Sequence, residues 1–128
     1  MLEVSGISKS FGGLQAVSEA TLKVSEGSIV SLIGPNGAGK TTLFAIISGF
    51  LKADSGTVSL YGDALGGLKP FQVCQMGMVR TFQITQPFAK LSILENIMIG
   101  AYARIQDPED ATAEASKPTE RSYIRVPL

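Results

Sequence analysis

The chain has 128 residues, 45% of them apolar, which suits one domain with a buried core and argues against a largely disordered protein. Basic and acidic side chains balance at 11 each, so the positive field of a nucleic-acid binder is missing and no DNA or RNA partner is expected. The single cysteine, Cys74, has no partner for an internal disulfide and no histidine for a metal site, which fits a reducing compartment and a small half-buried hydrophobe.

At the N-terminus no basic flank leads into an apolar segment, so no secretory signal is expected. Residues 2–8 alternate weakly, with Leu2, Val4 and Ile7 apolar, and predict a strand. Phe11-Gly12-Gly13 predicts a turn. Residues 16–24 alternate again through Val17, Leu22 and Val24, and the two runs together predict an antiparallel β layer. After a turn at Ser25-Glu26-Gly27, residues 28–33 are apolar nearly throughout, the pattern of a central strand covered on both faces.

The next stretch, Gly34-Pro35-Asn36-Gly37-Ala38-Gly39-Lys40-Thr41-Thr42, organises the chain: between an apolar run and a helix-compatible one, it predicts a strand, a phosphate-binding loop and a helix. Gly34, Gly37 and Gly39 are free to take backbone conformations closed to residues with a β-carbon, so the loop wraps closely around a polyanion. The helix that follows adds unpaired N–H groups and the positive end of its dipole. Lys40 supplies a mobile cation for the β- and γ-phosphates, the Thr41 hydroxyl is placed for Mg²⁺, and Thr42 contacts phosphate one turn further in.

The helix itself is predicted over residues 42–48, where Leu43, Ile46 and Ile47 share one face, with Gly49 as its stop. A turn over 52–56 leads to a strand at 57–61, a turn at Gly62-Asp63 and a loose connection at Gly66-Gly67. Pro70 opens a short helix to Met76 that Gly77 closes, and residues 78–82 predict a further strand ending at Gln83. Ser92-Ile93-Leu94-Glu95 has the form of a capping box, with a helix running to about Tyr102. Residues 106–117 turn polar and read as a weak solvated helix or a disordered stretch, Pro118 ends any helix, and residues 119–128 show no packing periodicity. The longest apolar windows, 43–51 and 93–103, fall short of the roughly 20 residues that span a bilayer.

With these residues in place the chain resembles the N-terminal half of an ATP-binding-cassette transporter ATPase over residues 2–103. The similarity is greatest to the branched-chain amino-acid importer type, through Lys9-Ser10-Phe11-Gly12-Gly13-Leu14-Gln15-Ala16-Val17, the phosphate loop, and Arg80-Thr81-Phe82-Gln83. The resemblance implies an α/β P-loop NTPase fold with an N-terminal antiparallel layer, incomplete here. Residues 1–105 would form the N-terminal part of the nucleotide-binding domain, and 106–128 a polar, poorly ordered tail. It implies ATP and Mg²⁺ as ligands, with Phe11 stacking on adenine, Val17 beside it, and Gln83 reaching Mg²⁺ and the attacking water. Lys40 and Gln83 are thereby the catalytic candidates, and Thr41 and Gln83 the metal candidates.

The implied partners are a membrane permease, whose cytoplasmic helix would seat in residues 85–102, and a second ATP-binding subunit, homo- or heterodimeric. Phe88, Leu91, Ile93, Leu94 and Ile97 would serve either that permease helix or a local core. The implied place is the cytoplasm, peripheral on the inner face of the plasma membrane. The family's composite site also needs a Leu-Ser-Gly-Gly-Gln signature, an apolar strand ending in Asp-Glu, and a switch histidine, none of which occurs in these 128 residues. Binding is therefore expected to exceed hydrolysis, and a fragment, an abbreviated gene model or a frame change near residue 110 would account for the missing parts. Asp54, Asp63 and Glu95 read as solvated or capping carboxylates. The alternatives are a non-hydrolysing cassette acting as a nucleotide-binding or interaction module, a urea-type importer ATPase, and a different phosphate-loop protein such as a small-molecule kinase.

Overall fold

The computed structural model describes residues 1–82, 84, 87–102 and 112–113, and divides the chain into two units, Met1–Arg80 and Thr81–Leu128. In the first unit, strands β1 (Leu2–Phe11), β2 (Leu14–Val24), β3 (Ser55–Leu60) and β4 (Asp63–Ala64) form one sheet in the order β2-β1-β3-β4. Each neighbouring pair is antiparallel. This is the layer that the two alternating N-terminal runs predict.

The weakness of the alternation in β1 has a structural cause. Gly6 lies at φ 60°, and the ladder slips there, so that Ser5 and Gly6 of β1 oppose Thr21 alone between the Val4–Leu22 and Ile7–Ala20 pairs. A bulge of this kind inserts one residue and reverses side-chain parity. Leu2, Val4 and Ile7 thus all reach the same buried side despite their uneven spacing. The Gly6 N–H, displaced from the ladder, donates to Thr21 Oγ1 at 3.0 Å. A second bulge at Ser18-Glu19 does the same for β2: Glu19 takes φ 46°, donates its N–H to Ser8 Oγ at 3.0 Å, and shifts the inward face from Val17 to Ala20, Leu22 and Val24.

Helix α1 (Lys40–Ile47) packs on this sheet through Leu43, Ile46 and Ile47, which join Leu2, Val4, Ile7, Val17, Val58 and Leu60 in the core. With 8 residues α1 is too short to persist alone. Burying each of its three inward side chains contributes about 1.5–3 kcal/mol, which is what holds it. It begins at Lys40, ahead of the predicted start. Helix α2 (Pro70–Gln75) places Pro70 in its first turn, buries Val73 and ends at Gly77 with φ 97°, as its sequence signals predict. Cys74 is a free, half-buried thiol.

Two predicted strands are not formed. Residues 28–33 pair with no described strand, and their apolar side chains stand in solvent, Ile29 96% and Ile33 90% exposed. An apolar β-rich run becomes a strand only where another chain segment offers its edge, and here the edges of β1 are taken by β2 and β3. Residues 78–82 likewise carry no ladder. Side chains hold this segment instead: Met78 is buried, and Arg80 donates from Nη1 to Ser48 Oγ at 3.3 Å with its guanidinium 5.7 Å from the Phe50 ring centre.

In the second unit helix α3 (Ile93–Tyr102) follows a complete capping box. Glu95 N–H donates to Ser92 Oγ at 3.3 Å, and Ser92 N–H donates to Glu95 Oε2 at 2.7 Å. Asn96 ties the preceding turn to the helix, accepting from Phe88 N–H at 2.9 Å and donating to the carbonyls of Phe88, Leu91 and Ser92. No residue of α3 is buried. Phe88, Leu91, Ile93, Leu94 and Ile97 are all exposed, so of their two expected uses they do not form a local core among the described residues. The expected tail, 106–128, lies outside the described residues except for Thr112 and Ala113. No helix among the described residues is long and apolar enough to cross a membrane.

Candidate phosphate-binding site

The loop of residues 34–39 leads directly into α1, whose N-cap is Gly39 in the left-handed region at φ 79°. The first intrahelical bond runs from Leu43 N–H to Gly39 O at 2.9 Å. The N–H groups of Lys40, Thr41 and Thr42 come before it and have no intrahelical acceptor. No acidic residue stands in the first turn, so the positive end of the helix dipole is left uncancelled at the same place.

The shape of the loop depends on two glycines. Gly37 lies at φ 83° in open space. Gly39 lies against β2: a β-carbon there would overlap the Ala16 carbonyl oxygen and stand 3.1 Å from Val17 Cγ2. Only a residue without a side chain lets the loop pass this close to the hairpin. A turn inside the loop is closed by Ala38 N–H donating to Pro35 O at 3.3 Å. Lys40 folds back across it, donating from Nζ to Gly34 O at 2.7 Å and Pro35 O at 2.6 Å. An ammonium carries three protons, so this clasp leaves one for another acceptor. Asn36 and Thr41 are exposed and Thr42 is half-buried, so the loop's polar side chains face solvent or its margin.

These features fit a polyphosphate. The N–H groups at α1, the clearance at Gly39 and the ammonium at the loop rim are donors without a competing carboxylate. For a hard cation the fit is through oxygen: the exposed Thr41 hydroxyl is available, and no group of three or more His, Cys, Asp or Glu residues occurs among the described residues. Gln83, the other residue expected at the metal, lies outside the described residues.

The hairpin carries the two residues expected at the base. Val17 is buried and touches the Gly39 position, so the structure brings it to the loop. Phe11 sits at the β1–β2 turn, paired with Leu14 and 47% exposed, rather than in the core. Sequence reasoning missed what stands beside it. Asp54, read as a solvated carboxylate, pairs with Lys9 Nζ at 2.5 Å and accepts from Ser10 N–H at 2.8 Å. The Lys9 Nζ in turn lies 5.6 Å from the centre of the Phe11 ring. The partners are 45 residues apart in sequence, and only the antiparallel pairing of β1 with β3 brings them together.

A family model for the ABC transporter matches residues 17–124. The chain belongs to the ABC transporter family. It is 43% identical over 106 residues to LivG of Salmonella typhimurium, a high-affinity branched-chain amino acid transport ATP-binding protein, over 83% of this chain and 42% of LivG. To BraF of Pseudomonas aeruginosa, described in the same words, it is 42% identical over 105 residues, covering 82% of this chain and 41% of BraF. The ABC chain thus spans about two-fifths of the length of these relatives.

Solved cassettes have the same fold. The ADP conformation of an ATP-binding cassette of an ABC transporter aligns with TM-score 0.72 and 36% identity over 94% of this chain and 48% of that one. A dimeric cassette in a post-hydrolysis state with ADP and Pi aligns with TM-score 0.74 over 90% of this chain and 54% of that one; at 23% identity it bears on the fold alone. The expected P-loop NTPase architecture with an antiparallel layer, present in part, is therefore correct.

Proposed function

We propose that this ABC chain is the nucleotide-binding part of an importer ATPase subunit that couples MgATP to uptake of branched-chain or related amino acids. The observation that carries the reading is the loop itself, in which Gly39 at φ 79° clears the hairpin and opens α1 while Lys40 Nζ clasps the Gly34 and Pro35 carbonyls. In this reading the N–H groups of Lys40, Thr41 and Thr42 and the Lys40 ammonium hold the phosphates, and Phe11 and Val17 receive the adenine. Thr41 and Gln83 would hold the Mg²⁺, which when bound would supply positive charge against that of the phosphates. The names of LivG and BraF favour amino acids over urea as the solute. As partners we infer a membrane permease, at the segment after Gln83, and a second ATP-binding subunit. The chain would then work on the cytoplasmic face of the membrane. Residues 1–105 are the part proposed for this role.

Calorimetry with MgATP on the parent and on Lys40→Ala tests the first step. A charge-assisted hydrogen-bond donor is lost in the variant, and affinity is expected to fall about tenfold or more. Equal affinity in both, or no binding by the parent, rejects the reading.

A second reading is a nucleotide-binding module that does not hydrolyse. Phosphate release with excess Mg²⁺ separates the two. Release no faster than in buffer supports the module, and sustained turnover supports the ATPase.

A further inference from the structure

Asp54 makes bonds to three consecutive residues of β1 just ahead of Phe11. Its N–H donates to Ser8 O at 2.9 Å, its Oδ1 meets Lys9 Nζ at 2.5 Å, and its Oδ2 accepts from Ser10 N–H at 2.8 Å. Lys9 is the better buried of the pair, its side chain 15% exposed against 48% for Asp54. Its ammonium sits over the Phe11 ring at 5.6 Å from the centre. A cation at that distance is attracted to the face of an aromatic ring. One face of Phe11 is thus occupied from within the protein while the residue remains half exposed, in a hairpin turn where nothing else is buried to hold it.

From this geometry we propose that Asp54 and Lys9 are positioning residues for nucleotide: they anchor the β1 end and hold the Phe11 ring by one face so that the other receives a purine base. The proposal rests on the reading of Phe11 as the base-stacking residue. An exposed phenylalanine at a two-glycine turn would otherwise have to be ordered when the ligand arrives, and fixing a side chain in advance removes that cost from binding. Coordination by Lys9 and by Ser10 N–H also holds the Asp54 carboxyl below the usual carboxylate range, so it is charged at neutral pH. Neither Asp54 nor Lys9 is part of the phosphate loop, so their effect should be confined to the base end of the ligand.

The test is calorimetry with two probes, MgATP and magnesium tripolyphosphate, on the parent chain, Phe11→Ala, Asp54→Asn, Lys9→Met and the Phe11→Ala/Asp54→Asn double variant. Asp54→Asn and Lys9→Met are each expected to weaken MgATP by about three- to tenfold, the loss of one pre-ordered side chain, with tripolyphosphate affinity unchanged. In the Phe11→Ala background Asp54→Asn should have no further effect. If Phe11→Ala weakens MgATP while Asp54→Asn and Lys9→Met match the parent, the proposal is overturned and the stacking reading survives. If they weaken tripolyphosphate as much as MgATP, their role is general stability and the proposal is equally overturned. MgATP bound equally by Phe11→Ala and the parent would reject the stacking reading and, with it, the proposal.

Discussion

Ala16 and Gly39 meet backbone to backbone, the Ala16 carbonyl oxygen occupying the space that a β-carbon on Gly39 would need. This contact sets the phosphate loop against the β1–β2 hairpin, and it puts Val17 and the start of α1 side by side.

Gly39→Ala is therefore expected to cost more than Gly37→Ala, although both glycines lie at nearly the same φ, 79° and 83°. At Gly37 the added methyl meets nothing within 4 Å, so the cost is the left-handed strain alone, about 1–2 kcal/mol. At Gly39 a backbone collision is added, which takes the expected loss to about 3 kcal/mol. Urea unfolding of the two variants checks this. Equal midpoints would mean that the hairpin does not press on the loop.

The capping box of α3 gives a pH-dependent outcome. Hydrogen bonds from the Ser92 hydroxyl and the Ser92 N–H hold the Glu95 carboxyl below its ordinary value of 4.5. A group whose folded value is depressed stabilises the fold above its unfolded value and loses that contribution as pH falls through the folded one. The start of α3 should then be intact at neutral pH and should loosen on acidification below about pH 4.5. A ¹³C titration of the glutamate carboxyls is the measurement: Glu95 should titrate lower in the parent than in Ser92→Ala. The same midpoint in both would show that the box does not form in solution.

Residues 28–33 predict association. Ile29 and Ile33 stand 96% and 90% exposed on a segment that pairs with no described strand, and an uncovered apolar run invites pairing between molecules. Sedimentation of the chain should show concentration-dependent self-association that Ile29→Lys/Ile33→Lys suppresses, without a change in thermal midpoint. Association of equal strength in the double variant would place the contact elsewhere.

The local elements were legible because short-range physics decides them. The helix face of Leu43, Ile46 and Ile47, the stop at Gly77 and the Ser92–Glu95 cap all have partners within a turn or two of chain. The phosphate loop was legible for the same reason, since glycine spacing, the lysine and the helix start are contiguous. Its contact with Ala16 was not, because nothing in the loop says which distant backbone will press on Gly39.

By itself, then, the sequence determined where the turns and caps fall, which residues line the loop, and which family the chain resembles. The tertiary structure alone decided the parity of β1 and β2, because bulges at Gly6 and Ser18-Glu19 depend on what lies opposite each strand. It decided that residues 28–33 and 78–82 form no ladder, since a strand is a relation between segments and hydrophobic pattern describes only one of them. And it decided that Asp54 grips Lys9 and Ser10 beside Phe11, a meeting that the β1–β3 register creates across 45 residues.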